Sequence, residues 1–300
     1  MNFLINIVGP TAIGKTALAI QIAQHFDTEI ISSDSRQFFK EMCIGTAVPS
    51  KEELSEVKHH FIQHKSIFEN YSVGDFERET ISFLDNFYKK KSIVVMVGGS
   101  GLYSNAVLYG LDDFPEVPQK IREELYFEYK NNGIAFLQKK LQKLDPQHYN
   151  NMDIHNPQRI IRALEICITA GKSYSSFLNK KNINRNFTFI QIGLTAEREI
   201  IYERINKRVE KMLEEGMIQE AQSLYKYKNL NALQTVGYRE FFDFFDKKTN
   251  LKEAIENVKM NTRRFAKRQL TWYNKSTDIQ WFDYETNPLE IINYIENKLF

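Results

Sequence analysis

Three hundred residues, 42% of them hydrophobic and 26% charged, are enough to bury a sizeable core in one large domain or two unequal ones, and they exclude a disordered or fibrous chain. No apolar run approaches the roughly 20 residues that cross a bilayer, and the opening Met1 to Val8 is too short and lacks the basic start of a secretory signal, so a soluble cytoplasmic protein is expected. The net charge of +2 decides nothing about nucleic acid, and the two cysteines, Cys43 and Cys167, without a CxxC pair or clustered histidine partners, point to buried apolar roles and away from zinc or a disulfide framework.

In chain order, Phe3 to Val8 is an apolar run ending at a glycine, and Ala17 to Phe26 carries Leu18, Ile22 and Phe26 at helical spacing, which gives strand, loop, helix. Glu29 to Ser33, Ser92 to Val97 and Phe187 to Leu194 read as further buried strands separated by helical stretches, the pattern of a parallel sheet covered on both faces. From about Leu111 the character changes: Pro115 and Pro118 interrupt the chain, and charged helical segments run without a strong strand as far as Asn186. Helices resume over Glu199 to Tyr225 and Lys252 to Asn274, and Ile279 to Phe282 is a candidate edge strand. These divisions predict a core from residues 1–114 and 187–300 and a helical insertion over 115–186.

The loop after the first strand, Gly9, Pro10, Thr11, Ala12, Ile13, Gly14, Lys15, Thr16, has the spacing of a phosphate-binding loop and the strand-to-helix context that spacing needs. Gly9 and Gly14 let backbone amides turn toward phosphate oxygens, Lys15 adds a positive charge, and the Thr16 hydroxyl is placed to reach a magnesium ion. The expected fold is therefore an α/β, P-loop NTPase-like parallel sheet flanked by helices. Nucleotides, sugar diphosphates and prenyl diphosphates all present the same oxygens, and the loop alone points to an ATP-binding kinase or ATPase.

Residues beyond the loop change that reading. Ile31-Ser-Ser-Asp34-Ser35-Arg36-Gln37, Ile44-Gly-Thr-Ala47, Val97-Gly-Gly-Ser100-Gly-Leu-Tyr103 and Gln158-Arg159-Ile160-Ile161-Arg162-Ala-Leu-Glu165 resemble, in this order, the tRNA dimethylallyltransferase (tRNA isopentenyltransferase) family. The resemblance runs on through Tyr71 to Phe76, Tyr202 to Val209, Gln234 to Glu240 and Thr262 to Trp272. It implies transfer of a dimethylallyl group from dimethylallyl diphosphate to the exocyclic N6 of adenine-37 beside the anticodon, with diphosphate released, magnesium assisting and a monomeric enzyme. It also implies that the helical insertion clasps the anticodon stem-loop, and that Ser100, Arg122 and Gln158 to Arg162 touch tRNA.

The chemistry needs a proton acceptor, because an exocyclic amine is a poor nucleophile until its N–H is held and relieved of its proton. Asp34, just beyond a predicted strand, is the candidate; a helix-capping aspartate is the competing reading. A departing diphosphate gathers negative charge, so donors fixed around it lower the barrier, and Lys15, the loop amides and Arg208 are assigned to it. Arg204 and Arg208 share a helix face, for which solvated surface charge is the alternative. Ser100, where the family usually has threonine, keeps the hydroxyl that would bond the diphosphate or the acceptor base.

Ser35, Arg36 and Gln37 beside Asp34 are placed to read a flipped base, and Gln158, Arg159 and Arg162 form a basic edge on a helix whose Ile160, Ile161 and Leu164 can face inward. Lys259, Arg263, Lys267, Arg264 and Arg268 concentrate positive charge on the late helix, while Trp272 and Phe241, Phe242, Phe244 and Phe245 are assigned to core packing. Val48 stands where the family often has lysine, and His59, His60 and His64 receive neither a catalytic nor a zinc role. The rival classes are a small-molecule kinase, a prenyltransferase acting on free adenine nucleotides, and a non-enzymatic RNA-binding scaffold.

Overall fold

The first strand, β1 (Phe3–Val8), is buried at every position, as a central strand covered on both faces must be. In the computed structural model, which describes residues 1–178 and 184–299, it lies between β4 (Ile93–Val97) and β5 (Thr188–Thr195). The sheet extends through β2 (Ile30–Ser32) to β3 (His59–His60) on one side and to β6 (Ile279–Asp283) on the other, in the order β3-β2-β4-β1-β5-β6 with every pairing parallel. The edge position expected for Ile279 to Phe282 is the one observed. β3 escapes sequence reading because two histidines carry no apolar pattern, and only their pairing with Ile30 and Ile31 makes them a strand.

Because all strands run the same way, their carboxyl ends gather at one rim, where Val8 leads into Gly9, Ser32 toward Asp34, and Val97 into Gly98. α1 (Lys15–His25) packs Leu18, Ala19, Ile22 and Ala23 onto the sheet, together with Ile201 and Ile205 of a later helix and Ile291, Ile292 and Ile295 near the C-terminus. In chain order the other helices are α2 (Lys51–Glu56), α3 (Val73–Phe87), α4 (Gly101–Tyr109), α5 (Gln119–Leu144), α6 (Pro146–Asn151), α7 (Pro157–Ala170), α8 (Arg198–Glu214), α9 (Met217–Leu224), α10 (Tyr238–Phe245), α11 (Leu251–Tyr273) and α12 (Pro288–Leu299). Val209, Met217, Phe241, Phe242 and Val258 of α8 to α11 close a second core, with Phe244 and Phe245 half-buried at its edge.

The chain divides into two units, residues 1–108 with 185–300, and residues 109–184, so the divisions fall a few residues before those expected at 114/115 and 186/187. The second unit is helical among its described residues, and Leu125, Leu137, Leu141, Ile160, Ile161 and Leu164 form its core. α5 breaks at Gly133, whose φ of 74° places it in the left-handed region.

Three expectations are corrected by burial. Cys43 is exposed, because it sits in the loop before α2 instead of in an element; Cys167 is buried. Trp272 is 41% exposed, since it occupies the rim of α11 and not its inward stripe. Ile160 and Ile161, assigned to tRNA, are buried in the helical core at 0% and 2% exposure, so their side chains hold α7 in place.

Candidate active site

The phosphate loop is shaped by residues that leave a side chain no room or no ordinary backbone. A Cβ on Gly9 would lie 2.5 Å from the carbonyl oxygen of Leu194, and Gly14, at φ 111°, occupies the position immediately before the first turn of α1. Lys15 folds over the loop and donates to the carbonyls of Gly9 (3.0 Å) and Pro10 (2.8 Å). From α8, Arg204 Nε donates to Ala12 O at 2.8 Å and Arg208 Nη1 donates to Thr11 Oγ1 at 3.1 Å. Both arginines on that helix face therefore reach the loop, and neither is merely solvated.

Burial pushes the Lys15 ammonium down to about 8, against the attraction of Asp34, with the Arg208 charge adding to the depression. Burial likewise brings Arg208 down to about 10, aided by Arg36 nearby. Lys15 is half-buried as a whole residue, but its charged end is the part enclosed by the loop. Cations held at this cost favour an anion beside them. The cleft they share, with an empty volume of about 1130 Å³ including its open mouth, is lined by Lys15, Arg204, Arg208 and Lys211 against Asp34 and Glu53, four positive groups to two negative.

Asp34 caps a tight turn: its Oδ1 accepts from Arg36 N–H at 3.1 Å and its carbonyl from Gln37 N–H at 2.9 Å. No hydrogen bond to Oδ2 is present among the described residues, and the carboxylate lines the same cleft as Lys15. Among the described residues no helix begins directly after Asp34, so Oδ1 serves a turn and not the helix cap of the competing reading, and Oδ2 is left unbonded. Ser100 is joined to this turn, with its Oγ accepting from Ser35 N–H at 3.0 Å and lying 2.9 Å from Ser35 Oγ.

Arg36 and Gln37, expected to face a base, each bond within the protein, although Arg36 Nε is buried without a partner. Arg36 Nη2 donates to Gly45 O (2.8 Å) and Val236 O (2.6 Å), and Gln37 donates to Ala47 O (2.9 Å) while accepting from Ser32 Oγ (3.1 Å). They lock the Asp34 turn against the 44–47 loop. Sequence reasoning missed Glu220, whose carboxylate accepts from the amides of Cys43, Ile44 and Gly45 and from the Tyr238 hydroxyl at 2.7 to 3.0 Å. It also missed Gln269 of α11, although a glutamine on a stripe of Ala254, Val258, Ala266 and Tyr273 was a visible signal. Of the late-helix charges, Lys259 is paired with Glu210 at 3.0 Å and Arg263 with Asn206 at 2.7 Å, whereas Arg264, Lys267 and Arg268 are exposed.

A second opening beside the Asp34 turn is lined by Ser35, Ser100, Leu102, Phe265, Arg268 and Trp272. Trp272 lies against Gly101, where a Cβ would come within 2.3 Å of the indole.

In the helical unit, Asn156 caps α7 through the amides of Gln158 and Arg159, and the side chains of Gln158, Arg159 and Arg162 are exposed. Arg122 and Arg162 converge on the buried Glu165, at 2.7 Å and 3.2 Å. The ion pair leaves both guanidinium groups partly in solvent.

A parallel α/β sheet that gathers a glycine loop, enclosed cations and a carboxylate at the carboxyl rim of its strands defines an α/β protein with a ligand crevice there, suited to an anion. Similarity to known proteins narrows that class. A family model described as IPP transferase matches residues 37–276. The tRNA dimethylallyltransferase of Christiangramia forsetii is 59% identical over 298 residues, covering 99% of each chain, and so includes the phosphate loop and Asp34 that precede the family-model match. Among solved structures, the full-length tRNA isopentenylpyrophosphate transferase of Bacillus halodurans superposes with a TM-score of 0.74 at 37% identity, covering 100% of this chain and 97% of that one. A eukaryotic dimethylallyltransferase, described in crystallographic snapshots as acting on tRNA, gives a TM-score of 0.82 at 28% identity, covering 100% and 79%. This chain belongs to the IPP transferase family.

Proposed function

We propose that the chain transfers the dimethylallyl group of dimethylallyl diphosphate to N6 of adenine-37 in the anticodon loop of tRNA and releases diphosphate, acting in the cytoplasm. The observation that carries this reading is the sharing of one cleft by an excess of cations, of which Lys15 and Arg208 have enclosed charged ends, and a carboxylate with a free oxygen.

The loop amides from Ala12 to Thr16, with Lys15 and Arg208, hold the diphosphate. As the bond between the allylic carbon and the diphosphate oxygen breaks, negative charge collects where these donors already point, and their prior organisation lowers the barrier. N6 of the adenine forms the new bond to that carbon, and its proton passes to Asp34 Oδ2. The electrons of the broken bond leave with the diphosphate, and those of the N–H bond remain on nitrogen. Ser100, tied to Ser35, supplies a hydroxyl at the junction of donor and acceptor. In the helical unit, Arg122, Gln158, Arg159 and Arg162 meet the tRNA backbone.

Magnesium fits this site through Thr16, an oxygen donor lining the cleft beside Lys15. No group of three His, Cys, Asp or Glu residues suited to a metal occurs among the described residues, so the other ligands would be diphosphate oxygens and water. The ion would screen the diphosphate charge.

The test supplies labelled dimethylallyl diphosphate, magnesium and either unmodified tRNA or AMP, with parallel assays for ATP hydrolysis and with a chelator. The expected result is label in tRNA alone, lost on chelation, with no ATP turnover. Label in AMP but not in tRNA, or ATP consumption without prenyl transfer, overturns the proposal.

A further inference from the structure

We infer that Gln269 is a positioning residue that sets the span between the phosphate loop and the Gly98–Ser100 turn, and so between donor and acceptor. The proposal rests on the transferase reading for the identity of the two substrates; the bridge itself stands on geometry.

Gln269 is only 5% exposed. Burying an amide on an otherwise apolar helix stripe costs free energy unless both of its ends are bonded, and here both are. Its Oε1 accepts from Thr11 N–H at 2.8 Å, and its Nε2 donates to Gly99 O at 2.8 Å. Thr11 in turn receives Arg208 through its hydroxyl, and the residue after Gly99 is Ser100, bonded to Ser35. A continuous path therefore runs from the Arg208 guanidinium through Thr11, Gln269 and Gly99 to the Asp34–Ser35 turn.

The fit around the bridge is close. A Cβ at Gly99 would stand 2.3 Å from Gln269 Nε2, and one at Gly98 would stand 2.5 Å from the Ser33 carbonyl carbon. Gln269 and Tyr273 lie on the buried stripe of α11 and Trp272 at its rim, and Trp272 closes on Gly101 as Gln269 closes on Gly99. Asparagine is too short to span both partners, and glutamate accepts from Thr11 but has no proton for Gly99. Glutamine meets both demands at this length.

A rigid span matters because the allylic carbon and N6 react only from a narrow range of separation and angle, and a misplacement of about 1 Å costs on the order of a hundredfold in rate. The experiment compares wild type with Gln269→Met, which preserves length in an apolar stripe, and Gln269→Glu, which keeps one end of the bridge. Each is assayed for kcat, for KM of tRNA and for Kd of dimethylallyl diphosphate. We expect kcat to fall on the order of a hundredfold in both variants while KM and Kd stay within about threefold. Wild-type kcat in either variant, or KM, Kd and kcat worsening together, overturns the positioning role.

A second readout is independent of turnover. Dimethylallyl diphosphate should slow amide hydrogen exchange across residues 98–103 in wild type and leave it unchanged in Gln269→Met that still binds the diphosphate. Equal slowing in both proteins overturns the bridge, whereas failure of wild type to label tRNA overturns the transferase reading.

Discussion

Asp34 divides its two carboxylate oxygens between a turn and the cleft. Oδ1 is spent on the Arg36 amide and fixes the carboxylate, and Oδ2 stays open to the cleft. Asp34→Ala is expected to lower kcat by about 10² to 10⁴, the range of a positioned general base, with Kd for dimethylallyl diphosphate nearly unchanged by calorimetry. Parallel losses in binding and turnover would give Asp34 a diphosphate-binding role instead. Lys15 yields a pH prediction. Its free-site value near 8 is below that of an ordinary lysine, and a bound diphosphate raises it, so binding takes up a proton once the pH exceeds about 8. Affinity should be level below that pH and fall above it, by at most about tenfold per pH unit. The prenyl diphosphate is fully ionised in this window, so a flat titration there contradicts the assignment.

At the scale of elements, α7 and α5 are coupled by a carboxylate whose motif is plain in the sequence but whose partners are not. Glu165 holds Arg122 and Arg162 from a buried position, and Arg122 lies 43 residues away in sequence. If the pair of arginines is an oriented phosphate-binding device, Glu165→Gln loosens both and weakens tRNA binding, measured by filter binding at two salt concentrations. If only net charge mattered, removing a negative group would tighten binding. The sign of the change decides between them.

Apart from β3, the strands were legible in sequence, as were α1 and the phosphate loop, because they rest on local pattern: apolar runs, helical spacing and glycines where the backbone turns. Asp34 and Ser100 were legible through their motifs, and Arg204 and Arg208 through their shared helix face. The partners of Gln269, Glu220 and Glu165 were not, because each acts across the fold on groups no local window contains. The bonds of Arg36 and Gln37 to Gly45, Val236 and Ala47 were hidden for the same reason. Trp272 was assigned to packing on residue type, although its place on the rim of α11 leaves it 41% exposed.

For the whole molecule, residues 1–108 with 185–300 carry the sheet, the phosphate loop and Asp34, while residues 109–184 carry Arg122, Gln158, Arg159 and Arg162. No helix among the described residues is long and apolar enough to cross a membrane. The near-neutral total charge hides an uneven distribution, since cations are concentrated at the loop cleft and on α11 and balanced by acidic groups elsewhere. The most direct test of the central claim is nucleoside analysis by mass spectrometry of unmodified tRNA incubated with the protein, dimethylallyl diphosphate and magnesium, using wild-type tRNA and tRNA with guanine in place of adenine-37. The account predicts one five-carbon addition, on N6 of adenine-37, and none in the guanine-substituted tRNA. An addition at another nucleotide, or equal addition to both tRNAs, contradicts it.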